Sequence, residues 1–296
     1  MPRALLLVNR HARRGKDALS EAIDLLKNLD LVLIEESTNH PRQLPDLIRR
    51  YHDQVDLVII GGGDGTLNAA IDGLISTGLP LGILPLGTAN DLARTLGIPT
   101  SLPEACQIIA GGQIKQIDVG RVNDKYFFNV ASLGLSVQIT QNLTKEAKRR
   151  WGVLAYAATT LRVIWQSRPF RAEILIAGET LPVQTIQIAV GNGRHYGGGM
   201  VVAEDAAIDD QRLDLYSLET KQWWQILALL PTMRQGNHAI LPGVRVLQGQ
   251  EIEIRTSRPR SINTDGEITT HTPAKFSVIP QALRVLIPPT SIKSSP

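Results

Sequence analysis

The stretch Val55-Asp-Leu-Val-Ile-Ile-Gly61-Gly62-Gly63-Asp64-Gly65-Thr66-Leu67-Asn68 constrains this chain more than any other. An apolar run of strand length enters a turn with four glycines in five residues and leaves as a helical pattern. Glycine lets the backbone approach a ligand closely, while the first turn of a helix presents unpaired N–H groups and partial positive charge. A plain strand-to-helix turn needs only one or two glycines, so this one reads as a phosphate loop, with Thr66 as a further hydroxyl donor. It is not a Walker A loop, since Gly65 is followed by Thr rather than Lys, and it is not the G-x-G-x-x-G dinucleotide fingerprint. An aspartate inside a phosphate cradle repels its ligand unless a cation intervenes. Asp64 therefore reads as a direct or water-mediated partner of nucleotide-bound Mg²⁺.

Around this turn the first 120 residues alternate two periodicities. Strands are expected at residues 4–8, 31–35, 57–60, 81–84 and 117–119, with helices at 18–26, 42–51, 66–75, 91–96 and 103–110. Such alternation predicts a parallel, helix-covered sheet whose ligands sit at the carboxyl ends of the strands. After residue 126 the pattern changes to a long helical stretch, 135–165, and short β-rich runs at 172–176, 185–190, 213–217, 251–255, 274–278 and 283–287. Close turn spacing there predicts a β-sandwich. The chain of 296 residues suits two domains: an α/β nucleotide-binding domain over 1–120, a β-rich acceptor domain over 121–287, and a tail, 288–296.

Charge and composition remove several function classes. With 31 Lys plus Arg against 28 Asp plus Glu, the excess of +3 argues against wholesale nucleic-acid binding. A single cysteine, Cys106, forbids an intramolecular disulfide, and the six histidines show no zinc-finger spacing, so the expected location is cytoplasmic. Arg162 interrupts the best membrane-spanning candidate, 151–165, so membrane contact is expected to be peripheral, at the inner surface. Residues 142–168 carry Lys145, Lys148, Arg149, Arg150, Arg162 and Arg168 against Glu146 alone, with Trp151 and Trp165 among them. That pattern suits docking on anionic lipid and suits equally a solvated helix over a core; Trp223-Trp224 carries the same two readings.

A second turn, Leu84-Pro-Leu-Gly87-Thr88-Ala89-Asn90-Asp91-Leu92-Ala93-Arg94, repeats the plan of the first. Asn90 or Thr88 could serve there simply as a helix cap. Taken together, the two turns are expected to converge on one pocket. Near the other end, Asn263-Thr-Asp265-Gly266-Glu267 places two carboxylates two residues apart on a tight turn. The segment reads either as a solvated D-G hairpin or as the base that orients an attacking hydroxyl in phosphoryl transfer.

The pair GGGDGTLN and LPLGTANDLAR resembles the diacylglycerol kinase catalytic-domain family, in particular its soluble bacterial lipid kinases, which are similar in fold to NAD kinases and phosphofructokinases. Residues 8–15 (VNRHARRG) resemble the family's opening N-P-x-x-G-x-G turn, with Arg10 where proline is common, and residues 126–134 and 191–200 also match. The resemblance implies ATP and Mg²⁺ as cofactors. It implies nucleotide contacts at Thr38, at Gly62, Gly63, Asp64, Gly65, Thr66, Leu67 and Asn68, and at Thr88. Asn9, Asn90 and Asp91 belong to the same site, with Asp91 joining Asp64 in organising Mg²⁺. It implies an acceptor-activating base in the D-G-E turn and leaves open whether Asp265 or Glu267 acts.

It also implies a structural Mg²⁺ on the side chain of Asp210 and the backbone oxygens of Ala207 and Arg212, although Gln211-Arg212 stands where the family has Gly-Leu. The implied function is an ATP-dependent lipid kinase of phospholipid metabolism, acting on a diacylglycerol-like hydroxyl at the membrane surface. Two alternatives are an NAD kinase-like enzyme, which shares the first motif, and a non-catalytic lipid- or nucleotide-binding module. GTANDLAR and the D-G-E turn speak against the former, and the acids at 64, 91, 265 and 267 against the latter. The sequence does not separate diacylglycerol, phosphatidylglycerol and sphingoid bases as acceptors, and it leaves the oligomeric state open, a homodimer being one option.

Overall fold

The runs at 4–8 and 57–60 are apolar at every position, the pattern of strands covered on both faces. In the computed structural model, which describes residues 1–9, 15–38, 40–142, 162–193, 195–196, 200–201, 207–219 and 243–289, both runs are buried. By contacts the chain forms two compact units, one of residues 1–118 with those from 280 onward, the other of residues 119–279.

The first unit runs β1 (Arg3–Asn9), α1 (Gly15–Asn28), β2 (Val32–Thr38), α2 (Leu44–Tyr51), β3 (Leu57–Gly62), α3 (Asp64–Thr77), β4 (Leu81–Pro85), α4 (Asp91–Thr95), α5 (Leu102–Gly111) and into β5 (Gln113–Val122). The strands lie in the order β2-β1-β3-β4, all parallel, and Val285 of the last strand pairs in parallel with Leu81. The chain leaves β1 toward β2 and returns to β3 on β1's other side, so the strand order reverses beside β1. In a doubly wound sheet that reversal marks where a ligand binds.

The second unit contains β6 (Lys125–Phe127), β7 (Val130–Gly134), α6 (Leu135–Asn142), β8 (Phe170–Ile176), β9 (Glu179–Thr185), β10 (Gln187–Gly191), β11 (His195–Tyr196), β12 (Met200–Val201), β13 (Leu213–Leu218), β14 (Val244–Gly249), β15 (Glu251–Thr256), β16 (Ser261–Thr264), β17 (Glu267–His271) and the start of β18 (Ala274–Ile287). One antiparallel sheet has the order β14-β13-β10-β7-β16-β17, and β18, β15, β8 and β9 form a second antiparallel layer. Leu133, Ile188, Val190, Leu215 and Ile262 from the first layer pack with Phe170, Ile174, Ile252, Ile254 and Phe276 from the second. This is a sandwich core built from alternate residues. The opposite face of β7, β10 and β13 is covered too: Val130, Ala189 and Tyr216 pack with Val163 and Ile164. Burial on both faces explains why β10 is buried throughout.

The α/β plus β-sandwich class is thus the one the sequence pattern indicates, with differences in detail. Residues 185–190 are not one strand, because the chain passes from β9 to β10 at Ile186, where the Thr185 hydroxyl donates to the carbonyls of Gln187 and Leu218. Residues 274–278 and 283–287 are parts of one long strand, β18. Residues 280–287, grouped above with the acceptor domain, are assigned by contacts to the first unit, where the Gln281 N–H donates to Asp118 (2.7 Å). Of the helix expected over 135–165, residues 135–142 and 162–165 are helical, and 143–161, with most of the basic run and Trp151, lie outside the described residues, as do Trp223 and Trp224. No helix among the described residues is long and apolar enough to cross a membrane.

Candidate functional site

In the first unit the carboxyl ends of adjacent strands bring the expected nucleotide residues together. Asn9 pairs with Thr38, Val8 with Gly61, and Gly62 with Pro85, so the ends of β2, β1, β3 and β4 share one edge. Thr38 is buried there. Gly63 precedes α3 and offers no capping side chain, and its carbonyl accepts the first helical bonds, from the N–H groups of Thr66 (2.9 Å) and Leu67 (3.1 Å). The opening turn of α3 therefore has the character of an anion seat. Thr66 itself is buried, and a Cβ at Gly62 would meet its side chain at 2.6 Å, so Thr66 packs beneath the glycine turn.

The second turn lies against the first. A Cβ on Gly63 would meet the Gly87 Cα at 3.0 Å, and a Cβ on Gly87 would meet the Gly63 Cα at 2.4 Å. Two glycines are needed because two backbones touch. The Leu86 N–H donates to the Gly62 carbonyl (3.1 Å), and the Leu92 N–H donates to Asp64 Oδ1 (3.1 Å). Asp64, in the first turn of α3, thus caps the start of α4 and has its carboxylate fixed.

Asn90 sits in the left-handed region (φ 51°, ψ 46°), a conformation Asn tolerates better than most residues. It does not cap α4 with its side chain, the simple role the sequence allowed. Its Oδ1 accepts from the Gly87 N–H (3.0 Å), and its Nδ2 donates to the carbonyls of Gly87 (3.2 Å) and Pro85 (3.3 Å), which stitches the turn to itself. Asp91 is buried at the start of α4, while Thr88 is exposed at the tip of the turn.

In the second unit Asp265 and Gly266 are the two loop residues of a hairpin between β16 and β17, both at positive φ (47° and 99°). That is the hairpin turn a D-G pair favours. Its two carboxylates have different surroundings. Asp265 Oδ2 accepts from the Phe128 N–H (2.7 Å), and Oδ1 accepts from the N–H groups of Asn129 (2.9 Å) and Val130 (3.1 Å). Glu267 is exposed at the first position of β17. The buried Asn192 extends the network, donating from Nδ2 to the Phe128 carbonyl (2.9 Å) and from its N–H to the Asn129 carbonyl (2.8 Å). Phe128, Asn129 and Asn192 fall within stretches that match the family, but no local pattern reveals that they seat a carboxylate 137 residues away from Phe128.

The implied structural metal site has a different character. Asp210 Oδ1 accepts from the Arg212 N–H (3.2 Å), and Oδ2 accepts from Arg212 Nε (2.9 Å). With a guanidinium on this carboxylate, Asp210, Ala207 and Arg212 do not fit a divalent cation. Among the described residues no group of three or more His, Cys, Asp or Glu side chains could hold a metal ion.

Comparison with known proteins gives this geometry a context. The diacylglycerol kinase catalytic domain matches residues 3–122, and the YegS C-terminal NAD kinase beta sandwich-like domain matches residues 129–287. The chain belongs to the diacylglycerol kinase catalytic-domain family. One relative of this diacylglycerol kinase-like chain is a Staphylococcus aureus protein named "Putative lipid kinase", 30% identical over 267 residues that span 88% of this chain and 87% of that protein. An uncharacterized Synechocystis protein is 30% identical over 294 residues, 94% of this chain and 67% of its own length. A crystal structure described as "a putative diacylglycerol kinase" from Bacillus anthracis superposes with a TM-score of 0.83 at 26% identity, covering 97% of this chain and 95% of that one. This diacylglycerol kinase-family member is accordingly a lipid-kinase-like protein, and kinase membership implies ATP use.

Proposed function

We propose that this chain transfers the γ-phosphate of ATP to a hydroxyl of a diacylglycerol-like lipid at a membrane surface. The observation that carries the nucleotide half is the contact of the Gly63 and Gly87 backbones at the carboxyl edge of a parallel sheet, with Asp64 fixed beside them by the Leu92 N–H. In this reading the N–H groups opening α3 receive phosphate oxygens, and the glycines keep side chains out of the space they need. Asp64 is a half-buried, oriented carboxylate at that turn and fits the oxygen-donor role for the Mg²⁺ that accompanies the nucleotide. Bound there, the ion would neutralise charge developing on the phosphates.

The two acids of the D-G-E turn divide the work. Asp265 is committed to three backbone N–H groups and holds the turn. Glu267, exposed and one residue past the turn, takes the proton of the lipid hydroxyl as its oxygen bonds to the γ-phosphorus and the bond to the β-phosphate oxygen breaks, releasing ADP. For the membrane, Trp165 is 66% exposed between the exposed Arg162 and Arg168, the amphipathic arrangement that favours an anionic interface.

The test is incubation of γ-labelled ATP and Mg²⁺ with vesicles carrying diacylglycerol, phosphatidylglycerol or a sphingoid base, with NAD as a separate acceptor. Label in one extracted lipid supports the reading and names its substrate. Label in NAD alone replaces it with the NAD kinase alternative.

A further inference from the structure

The loop leading into β13 carries its own cation, and we infer that Arg212 takes the place of a bound divalent ion at Asp210. Arg212 meets both oxygens of that carboxylate, with its backbone N–H on Oδ1 (3.2 Å) and its Nε on Oδ2 (2.9 Å). Charge-assisted bonds of this kind are among the stronger ones in proteins. The two side chains are 35% and 21% exposed, so solvent screens the pair only in part. A hard divalent cation would bind carboxylate oxygen at roughly 2.0–2.6 Å. It would then stand within a few ångströms of the guanidinium, where like charges repel.

The backbone path prepares this substitution. Gln211 lies at φ 61°, in the left-handed region. Past that turn Arg212 folds back over Asp210 with a charge of its own. The neighbouring buried acid is served by protein as well, since Gln248 Nε2 donates to Asp214 Oδ1 (2.8 Å). Arg212 is in this sense a positioning residue that holds the entrance to β13 whatever the concentration of free Mg²⁺. For the kinase reading above, and resting on it, the ion requirement then narrows to the ion that travels with the nucleotide.

Thermal unfolding of the full chain without nucleotide tests this, in EDTA and across a series of MgCl₂ and CaCl₂. The wild-type melting temperature is expected to be the same in every condition. Arg212→Gln takes the guanidinium off Oδ2 and leaves the backbone N–H on Oδ1; its melting temperature should fall in EDTA and recover with either ion by on the order of 2–4 °C, a recovery that adding Asp210→Asn removes. An Arg212→Gln chain that folds only with the ion present is the same result in stronger form. Arg212→Lys keeps the positive charge and should stay insensitive to ions. The inference is overturned if the wild type is stabilised saturably by either ion and Asp210→Asn abolishes that gain. It is equally overturned if Arg212→Gln ignores both ions, or if Arg212→Lys responds to them as Arg212→Gln does.

Discussion

Replacing Gly87 by Ala adds one methyl group where the structure has no room for it. The new Cβ would lie 2.4 Å from the Gly63 Cα and 2.6 Å from Asn90 Oδ1. The first obstacle is backbone, so no rotamer change relieves it, and the two turns must move apart. Overpacking of this kind costs about 1–3 kcal/mol. Displacing Asn90 strains the bonds that close the turn, each worth about 0.5–1.5 kcal/mol. If both bonds are lost, the sum is about 2–6 kcal/mol. Gly111→Ala is the control: it sits in α5 with nothing within 4 Å of its would-be Cβ, and helix propensity predicts a gain of about 0.5–1 kcal/mol. Urea unfolding gives both stabilities, and calorimetry with ATP gives the second readout, since separated turns should weaken nucleotide binding. A Gly87→Ala protein within about 0.5 kcal/mol of wild type, binding ATP normally, would refute the reasoning that these turns must touch.

Four shorter predictions accompany it. Asp64→Asn keeps an oxygen for the Leu92 N–H but loses the charge, so stability should hold while turnover falls steeply; unchanged turnover at saturating Mg²⁺ removes Asp64 from the ion's site. Asp265→Ala strands three backbone donors, each costing about 1–3 kcal/mol if left unpaired, whereas Glu267→Gln should leave the unfolding midpoint alone; the reverse order would exchange their roles. Burial, with a smaller contribution from Glu21, pushes the Cys106 thiol up from its ordinary 9.0 to about 11. Its folded pKa is the higher one, so stability should fall as pH rises from about 9 to 11, and a Cys106→Ala variant should lack that component. Gln211→Gly should stabilise the chain by about 0.5–1 kcal/mol by removing a left-handed non-glycine residue, measurable as a shift in the denaturant midpoint.

What was legible in the sequence was local. The glycine turn after β3 and the helix that follows are written in adjacent residues, and the parallel sheet follows from the alternation of periods. The pairing of the two turns was legible as an expectation of convergence, but not the reason for it: Gly63 and Gly87 spare space for each other's backbone as well as for a ligand. Asn90 carried a signal that reading it as a cap overlooked, since Asn is among the few residues that accept left-handed backbone. The different surroundings of Asp265 and Glu267 were out of reach, because they depend on N–H groups more than a hundred residues distant. Arg212 was visible as a departure from the family pattern, and only the side-chain geometry shows where its charge goes.

The proposed reaction is phosphoryl transfer to a lipid hydroxyl with Glu267 as the base. Its most direct test is the rate of label transfer from γ-labelled ATP to dispersed diacylglycerol, phosphatidylglycerol or sphingoid base by wild type and Glu267→Gln, with ATP binding measured on the same preparations. A positioned base contributes typically about 10²–10⁴-fold. A loss of that size in kcat with ATP affinity unchanged is expected; equal turnover by the two proteins, or no labelled lipid from the wild type, would contradict the proposed reaction.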